Sequence, residues 1–580
     1  MSAPDFSRPR WYGSTLAVAL FGSILLWAAL PPLAWGWLGW IAPVPWLLLV
    51  RAEQLPGRAP YRSLWLAGLV FWLLAIHWLR LPHPATSLGW IALSAYLAFY
   101  LPAFVGLSRV AVHQLGVPLW LAAPVVWTGL ELARAHLLTG FLMASLAHTQ
   151  VHWIALIQIS DLVGEYGVDF VMMLVAACLT SGLPFVVNGL RMNSMEQKNE
   201  VQHSGYRCIA IFFLAVASLS TALAYGHWRL GNLRHGQLAA EPHPIGPRIA
   251  LIQGNSLAEW KFDPNRERQI MDEYVQLSER AIAEARRVGD GRPPDIVVWP
   301  ETMFRTPLIT FDHGYKPPEG ATRSVEEVTA WGPKDLAGLV NRLGAPVLVG
   351  IDRAHYPAGI AANGNPLPPE RFNSAVLVGR DGKIIGTYDK MHLVMFGEYI
   401  PFARWLPILY RWTPLTGGIE AGTAPAALML GAKFCFVPNI CYETAIPHVI
   451  RRQVRTLEDR GSVPDTLVNL TNDAWYWGSS ELDMHLACGV FRAVETRLPL
   501  VVAANGGISA WIDEYGSIRA QSPSQQADVL IADIEPRSLQ SPYVRYGDWF
   551  AAFCLTVCVA LAAFGWKTNR TTTKTRRHGD

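Results

Sequence analysis

The stretch Phe434-Cys-Phe-Val-Pro-Asn-Ile-Cys441-Tyr-Glu443 decides how this chain is read. Its apolar run, rich in β-branched and aromatic residues, predicts a buried strand. The run ends in Cys441, followed by Tyr442 and Glu443, where a side chain can leave the sheet and face a pocket. Taken alone, Cys441 reads as a small buried hydrophobe, the ordinary role of a free cysteine. It becomes a candidate nucleophile if a base and an oxyanion-stabilising cation reach it. Two other stretches carry such groups at or just beyond strand ends, Val297-Val-Trp-Pro-Glu301 and Tyr388-Asp-Lys390. Each alone has a bland explanation, since a glutamate can cap a helix and a lysine can be a solvated turn residue. Together they form a set able to take a thiol proton, stabilise an oxyanion and attack an acyl carbon.

Outward from these stretches, composition divides the chain. Its 580 residues are too many for one ordinary domain. With 51% hydrophobic residues, 16% charged ones and 24 Trp, it reads as a membrane protein with a soluble part. A net charge of +3 is too small for a nucleic-acid footprint. The seven cysteines are an odd number without zinc-type spacing, which argues against a disulfide framework. Cys178, Cys208, Cys554 and Cys558 lie in or beside apolar spans and read as packing residues.

A bilayer core takes about 20 apolar residues in a helix. Eight stretches are candidates: 14–30, 33–50, 63–79, 88–108, 118–138, 168–187, 208–225 and 549–566. Arg8, Arg10, Arg51, Arg58, Arg62, Arg109, Arg191, Lys198 and Arg207 lie in segments that fall on one side of such an arrangement. So does the tail with Lys567, Arg570, Lys574, Arg576 and Arg577, whereas Arg80 is an exception. The positive-inside rule then predicts cytoplasmic termini and an extracytoplasmic domain. The expected division is 1–226 membrane domain, 227–547 outer α/β domain, 548–566 eighth helix and 567–580 basic tail.

Residues 140–169 contain no Lys or Arg but carry His148, His152, Trp153, Gln158, Asp161, Glu165 and Tyr166. His148 and His152 have metal-ligand spacing without a third ligand in a recognised motif, so packing at the membrane interface is the preferred reading. Glu131 and Arg134 in a membrane helix need a reason, either pairing with each other or contact with a lipid head group.

From Pro247 short strands alternate with helical stretches. Strands are predicted at 248–253, 295–299, 346–351, 374–378, 383–388, 434–441, 466–470, 500–504, 509–513 and 529–534, with a helix over 270–286. This pattern indicates an α/β domain. Segments 191–207 and 310–335 read as mobile.

The chain resembles the apolipoprotein N-acyltransferases, and its outer domain the wider nitrilase (carbon–nitrogen hydrolase) superfamily. The motifs are Trp299-Pro-Glu301, Tyr388-Asp-Lys390-Met-His-Leu-Val-Met-Phe-Gly-Glu398-Tyr-Ile-Pro and Asn439-Ile-Cys441-Tyr-Glu443, after a multi-span region. The resemblance implies a four-layer αββα sandwich beside a membrane domain of about eight helices. It implies transfer of a fatty acyl chain from a membrane phospholipid to the α-amino group of a lipoprotein's N-terminal diacylglyceryl-cysteine. Cys441 would form a thioester, Glu301 would be general base, and Lys390 would stabilise the oxyanion. Glu398, Tyr442 and Glu443 would support the site, while Trp260, Asn472 and Trp475 would line the substrate pocket. No metal or organic cofactor is implied, nor a nucleic-acid partner. The partners would be the phospholipid donor, the diacylglyceryl-lipoprotein acceptor and the bilayer of a bacterial inner membrane, and the protein would be a monomer.

The sequence departs from the family at Met395, where Pro is usual, and at Tyr476-Trp477, one aromatic longer than usual. It also departs at Met484, where Gln commonly precedes the His, and around Asn505-Gly506. Two other readings compete. A membrane-tethered amide hydrolase would use the same residues with water as acceptor, but would gain nothing from eight spans. A silent scaffold or transporter is opposed by the intact trio and by the scarcity of ionisable residues at mid-span.

Overall fold

The computed structural model describes residues 14–189, 197–238, 246–258, 263–318, 320–361, 364–400, 418–535 and 540–577. They form two compact units, one of residues 1–80, 87–238 and 546–580, the other of residues 81–86 and 239–545.

The first unit is helical and apolar. Among the described residues three helices are long and apolar enough to cross a membrane: Thr86–Gln114, Ile209–Gly231 and Trp549–Thr568. The pair Ile154–Val163 and Tyr166–Gly182, bent by 118°, makes a fourth if it counts as one span. The eight unbroken spans expected from hydropathy are therefore not all present as such. Thr15–Ala29 and Pro60–Ala75 are apolar but short. Residues 33–50 are split into a 3-10 turn, Gly36–Trp40, and a short helix, Val44–Arg51. Local chemistry explains the break. Pro43 and Pro45 lack the N–H that a helix interior needs. A Cβ on Gly36 would lie 2.3 Å from the Thr149 carbonyl oxygen, so the close approach there requires glycine.

Residues 140–169 are folded and mostly buried within this unit. Their polar groups find partners inside the unit. His148 faces Glu165 at 3.2 Å, Asp161 pairs with Arg229 and accepts from Tyr225 at 2.8 Å, and Asp169 accepts from the Ala147 amide at 2.7 Å. His152 is exposed, which separates it from His148. Arg134 pairs with Glu131 and donates to the Phe141 and Met143 carbonyls, both at 3.0 Å. Of the two expectations for this pair, mutual pairing holds, as burial of both charges demands.

The second unit has thirteen strands among the described residues. In chain order they are β1 (Arg248–Gln253), β2 (Ile296–Val298), β3 (Phe304–Phe311), β4 (Val347–Tyr356), β5 (Glu370–Val378), β6 (Ile384–Asp389) and β7 (Leu428–Leu430), then β8 (Phe434–Ile440), β9 (Thr466–Asn472), β10 (Leu500–Asn505), β11 (Ala510–Ile512), β12 (Ile518–Gln521) and β13 (Asp528–Asp533). One sheet runs β13-β1-β2-β4-β5-β6, with β3 also on β4; the other runs β12-β11-β10-β9-β8-β7. Ile249, Leu251, Val298 and Leu377 of the first sheet pack with Phe436, Ile440, Val468 and Val501 of the second, giving a dry core between them.

The opposite face of the first sheet, through Ala250, Ile252, Val297 and Val349, buries Tyr274 and Ala281 of the helix Pro264–Ala285 and Leu336 and Leu339 of the helix Val325–Leu343. Helices Pro447–Asp459 and Glu481–Thr496 pack against the second sheet. The result is an αββα sandwich. Strands buried on both faces read as continuous apolar runs, which is why β1, β8 and β10 were legible. β3, with Pro307 at an edge position, was not. Its end and the helix Val325–Leu343 occupy much of the segment read as mobile. Residues 191–196 of the other such segment lie outside the described residues, and 197–207 are helical.

Candidate active site

Strands β8, β9 and β10 are parallel, as are β1, β2 and β4, so their carboxyl ends gather at one edge of each sheet. Ligands in α/β sheets bind beyond such ends. Glu301, Lys390 and Cys441 are all supplied from strand ends there.

Glu301 sits where the chain leaves β2 before rejoining β4 as β3. Val298 pairs with Leu348 and Phe304 with Ile351, leaving residues 299–303 as an excursion opposite Gly350. A Cβ on Gly350 would lie 2.4 Å from the Pro300 carbonyl oxygen and 2.6 Å from the Glu301 Cα. The excursion therefore requires glycine at that point. We expect Gly350→Ala to displace Glu301, destabilising the fold by about 1–3 kcal/mol as overpacking does and slowing any chemistry that depends on this carboxylate. A thermal melt with single-turnover kinetics checks this.

The Glu301 carboxylate is buried. It accepts from Asn373 Nδ2 at 2.6 Å and from the Asn472 amide at 2.9 Å, and Lys390 Nζ lies 3.6 Å away. Burial pushes its carboxyl above the ordinary range; Lys390 opposes this, and Glu398 adds to it.

Lys390 follows β6. Its amide donates to the Asn373 carbonyl at 2.9 Å, placing Asn373 beside it. The preceding Asp389 is gripped by Arg353 at 2.7 and 2.9 Å and by Ser374 at 2.6 Å, which anchors the strand end. Lys390 Nζ donates to Glu398 Oε1 at 2.7 Å, while the Val394 amide holds the other Glu398 oxygen at 2.8 Å. Burial pulls the ammonium down, but Glu398, Cys441 and Glu301 outweigh it and leave Lys390 above its ordinary value. It is a fixed cation.

Cys441 is half-buried and opens a 3-10 turn, Cys441–Ala445, directly after β8. Burial, Glu301, Asp473 and Glu398 push its thiol well up; Lys390 alone among these neighbours pulls it down. At neutral pH it rests as the thiol. Cys178, Cys435, Cys488, Cys554 and Cys558 are buried.

The supporting residues divide by what they touch. Glu398 faces Lys390. Glu443 is a buried clamp that accepts from the amides of Ile440, Met391 and His392 at 2.7, 2.8 and 2.9 Å, and from the Tyr388 hydroxyl at 2.8 Å. Burial raises its carboxyl, with those N–H donors opposing. It ties the segment after Lys390 to the turn at Cys441. The Tyr442 ring lies 6.3 Å from that of His392. Asn472 reaches Glu301 through its backbone, and its side chain accepts from Asn505 at 2.9 Å. Trp475 is half-buried in the turn after β9, and Trp260 lies outside the described residues.

Sequence reasoning did not single out Asn373, Asn469, Asp473 or His485 as site residues. Asparagines inside buried strands were the available signal, because Asn is depleted in strands and a buried amide needs partners. Among the described residues, Asp473, Glu481 and His485 form a group whose donor atoms lie within 4.8 Å of one another, close enough to hold a metal ion.

Comparisons with known proteins find matches in two parts of the chain. The family described as "Apolipoprotein N-acyltransferase N-terminal domain" matches residues 22–178, and "Carbon-nitrogen hydrolase" matches residues 248–542. The apolipoprotein N-acyltransferase of Rhodopirellula baltica is 32% identical, over 94% of this chain and 97% of its own. That of Geobacter metallireducens is 33% identical over 97% of each. A crystal structure of an amidase from Nesterenkonia sp. is 19% identical over 53% of this chain and 96% of its own, with a TM-score of 0.34. With near-full-length relatives at this identity and both domains matched in order, the chain belongs to the apolipoprotein N-acyltransferase family.

Proposed function

We propose that this protein is a bacterial membrane acyltransferase of lipoprotein maturation. It takes a fatty acyl chain from a phospholipid onto Cys441 as a thioester. It then passes the acyl group to the α-amino group of the N-terminal diacylglyceryl-cysteine of a lipoprotein. The observation that carries this reading is the convergence of Glu301, Lys390 and Cys441 in a chain whose near-full-length relatives bear that activity in their names.

The electrostatics support a role for each group. A thiol held well above its ordinary value needs a base, and a buried carboxylate of raised proton affinity is well matched to accept its proton. Lys390 stays protonated, so it is no base; it opposes the negative charge that grows on the carbonyl oxygen when Cys441 attacks. Collapse of the tetrahedral intermediate expels the lysophospholipid alkoxide, which takes the proton from Glu301. The amine of the second substrate then attacks the thioester and regenerates the thiol. Two bulky lipids use one pocket in turn, so ping-pong kinetics are expected.

The apolar segments hold the domain against the bilayer. Our reading keeps eight membrane segments, the second as a broken helix, with both termini cytoplasmic and residues 227–547 on the outer face. Basic residues such as Arg51, Arg58, Arg62, Arg109 and those of the tail support it. The enzyme works as a monomer.

The test is purified protein with a phospholipid carrying a labelled acyl chain and no acceptor, followed by mass mapping. An adduct on Cys441 that a diacylated lipopeptide discharges to a triacylated product is expected. An adduct lost only to water would favour an amide-hydrolase-type enzyme, and no adduct on folded protein would overturn the thioester.

The pH dependence of that step is a further prediction. Glu301 must be ionised to act, so acylation is expected to fall on the acid side through a pKa above 4.5. Lys390→Gln removes the ammonium that opposes the rise, so the acid limb should move to higher pH. The plateau should drop about 10²–10³-fold, the usual loss for one oxyanion-stabilising group. Single-turnover acylation across pH reads both; an unmoved limb would exclude Glu301 as the base.

A further inference from the structure

Cys441 has φ +52°, in the left-handed region that residues with a Cβ seldom occupy. Such a conformation persists when its surroundings over-determine it. Here the Cys441 carbonyl is held from two sides. Asn469 Nδ2 donates to it at 3.2 Å, and His485 Nε2 lies 3.1 Å from the same oxygen. A carbonyl only accepts, so Nε2 carries a hydrogen. The other ring nitrogen, Nδ1, faces Asp473 Oδ1 at 3.5 Å and Glu481 Oε1 at 3.9 Å. All three side chains are buried. A neutral ring with its hydrogen on Nε2 would aim a bare lone pair at two carboxyl groups. One cation between them removes the conflict, either a proton on Nδ1 or a metal ion.

We infer that His485 is a positioning residue for acyl transfer: an imidazolium held by Asp473 and Glu481, which pins the Cys441 carbonyl and keeps the thiol turned toward Glu301 and Lys390. The inference rests on the acyl-enzyme reading for its effect on rate, but not for the charge on the ring.

Several features favour the proton. Asp473 Oδ1 already accepts from the Thr471 hydroxyl at 2.6 Å, so the carboxylate is oriented without a metal. Burial pulls the imidazole down, but Asp473 and Glu481 outweigh it and push His485 up to about 9. Burial and the neighbouring Asp473 hold the Glu481 carboxyl well above its ordinary value. The other titratable groups are Tyr476 on the same turn as Asp473, kept protonated by burial, Asp483 acting on Glu481, and Cys441 itself. A metal ion is the competing occupant, since Glu481 Oε2 is buried without a hydrogen-bond partner.

The test uses the full-length protein, labelled with ¹⁵N-histidine, in phospholipid bilayers. His485 is assigned in solid-state ¹⁵N spectra by its loss in His485→Gln. The expected result near neutral pH is an imidazolium with both nitrogens protonated. In Asp473→Asn its deprotonation should move down by about one pH unit or more. Single-turnover acylation should fall about 10²-fold in His485→Ala, the scale of a reacting group misplaced by an ångström. It should recover in part in His485→Gln, whose amide can still donate to the carbonyl.

A neutral ring in the wild type would overturn the inference. So would a stoichiometric metal found by elemental analysis and lost in His485→Gln, or wild-type acylation by His485→Ala. If the wild type forms no acyl-enzyme yet shows the imidazolium, acyl transfer fails as the function while the ring's charge stands.

Discussion

Glu301→Gln and Cys441→Ser are each expected to reduce acyl-enzyme formation on the order of 10⁴-fold or more, the loss seen when a member of a nucleophile–base pair is removed. The physical reason is the state of the thiol. With Cys441 pushed well above its ordinary value, almost none of it is thiolate at neutral pH, and attack depends on transfer of its proton to Glu301. Gln keeps the shape, and its one carbonyl oxygen can still accept from the Asn472 amide while the Asn373 amide turns to accept from its NH₂, so the fold should survive while the proton acceptor is gone. Ser is nearly isosteric, but its hydroxyl is harder still to ionise. The two losses should not add, because base and nucleophile act on one proton; the double variant is expected to be no slower than the worse single one. Rates from mass-mapped single turnovers decide the matter. A double variant whose losses multiply would mean that Glu301 acts on some step other than activation of Cys441.

Glu443→Ala should damage the protein differently, through stability first. This buried carboxylate accepts from three backbone amides and from Tyr388, which itself accepts from Gln453 Nε2 at 2.6 Å. Removing it strands several donors that water cannot easily reach. Each stranded buried donor costs about 1–3 kcal/mol. We expect a loss of about 3–5 kcal/mol in all, the range for breaking a buried charged network. Activity should fall too, because the clamp joins the segment after Lys390 to the turn that presents Cys441. Glu443→Gln should be milder, since its carbonyl still accepts from part of the set while its NH₂ meets donors. The thermal midpoint in detergent and the acylation rate at a temperature where both variants are folded separate the two effects. Unchanged stability in Glu443→Ala would show that the carboxylate does not hold this corner.

These two glutamates also show where reading the chain reaches its limit. Glu301 and Glu443 both follow apolar runs, and both looked like site carboxylates. Glu301 stands among Lys390, Asn373 and Asn472 at the position opposite Gly350, facing the thiol's surroundings. Glu443, two residues after Cys441, instead accepts from three backbone amides and the Tyr388 hydroxyl. No spacing rule separates them. His485 makes the same point, because it contacts Cys441 only through the chain's three-dimensional course, 44 residues away. The membrane region failed in another way. Hydropathy registers apolar length, so 33–50 looked like a span, yet its glycines and prolines break it into a turn and a short helix.

Taken by itself, the sequence determined the layout: an apolar region poor in charge, an α/β domain of buried strands, and three reactive groups each placed at a strand end. These are properties of local composition and period, and a strand buried on both faces announces itself by its continuous apolar run. Only the tertiary structure decided which polar groups meet. Asn373 reaches Glu301 from 72 residues away, and Asn472 from 171. A proton affinity depends on burial and on charges a few ångströms distant, and neither is encoded in neighbours along the chain.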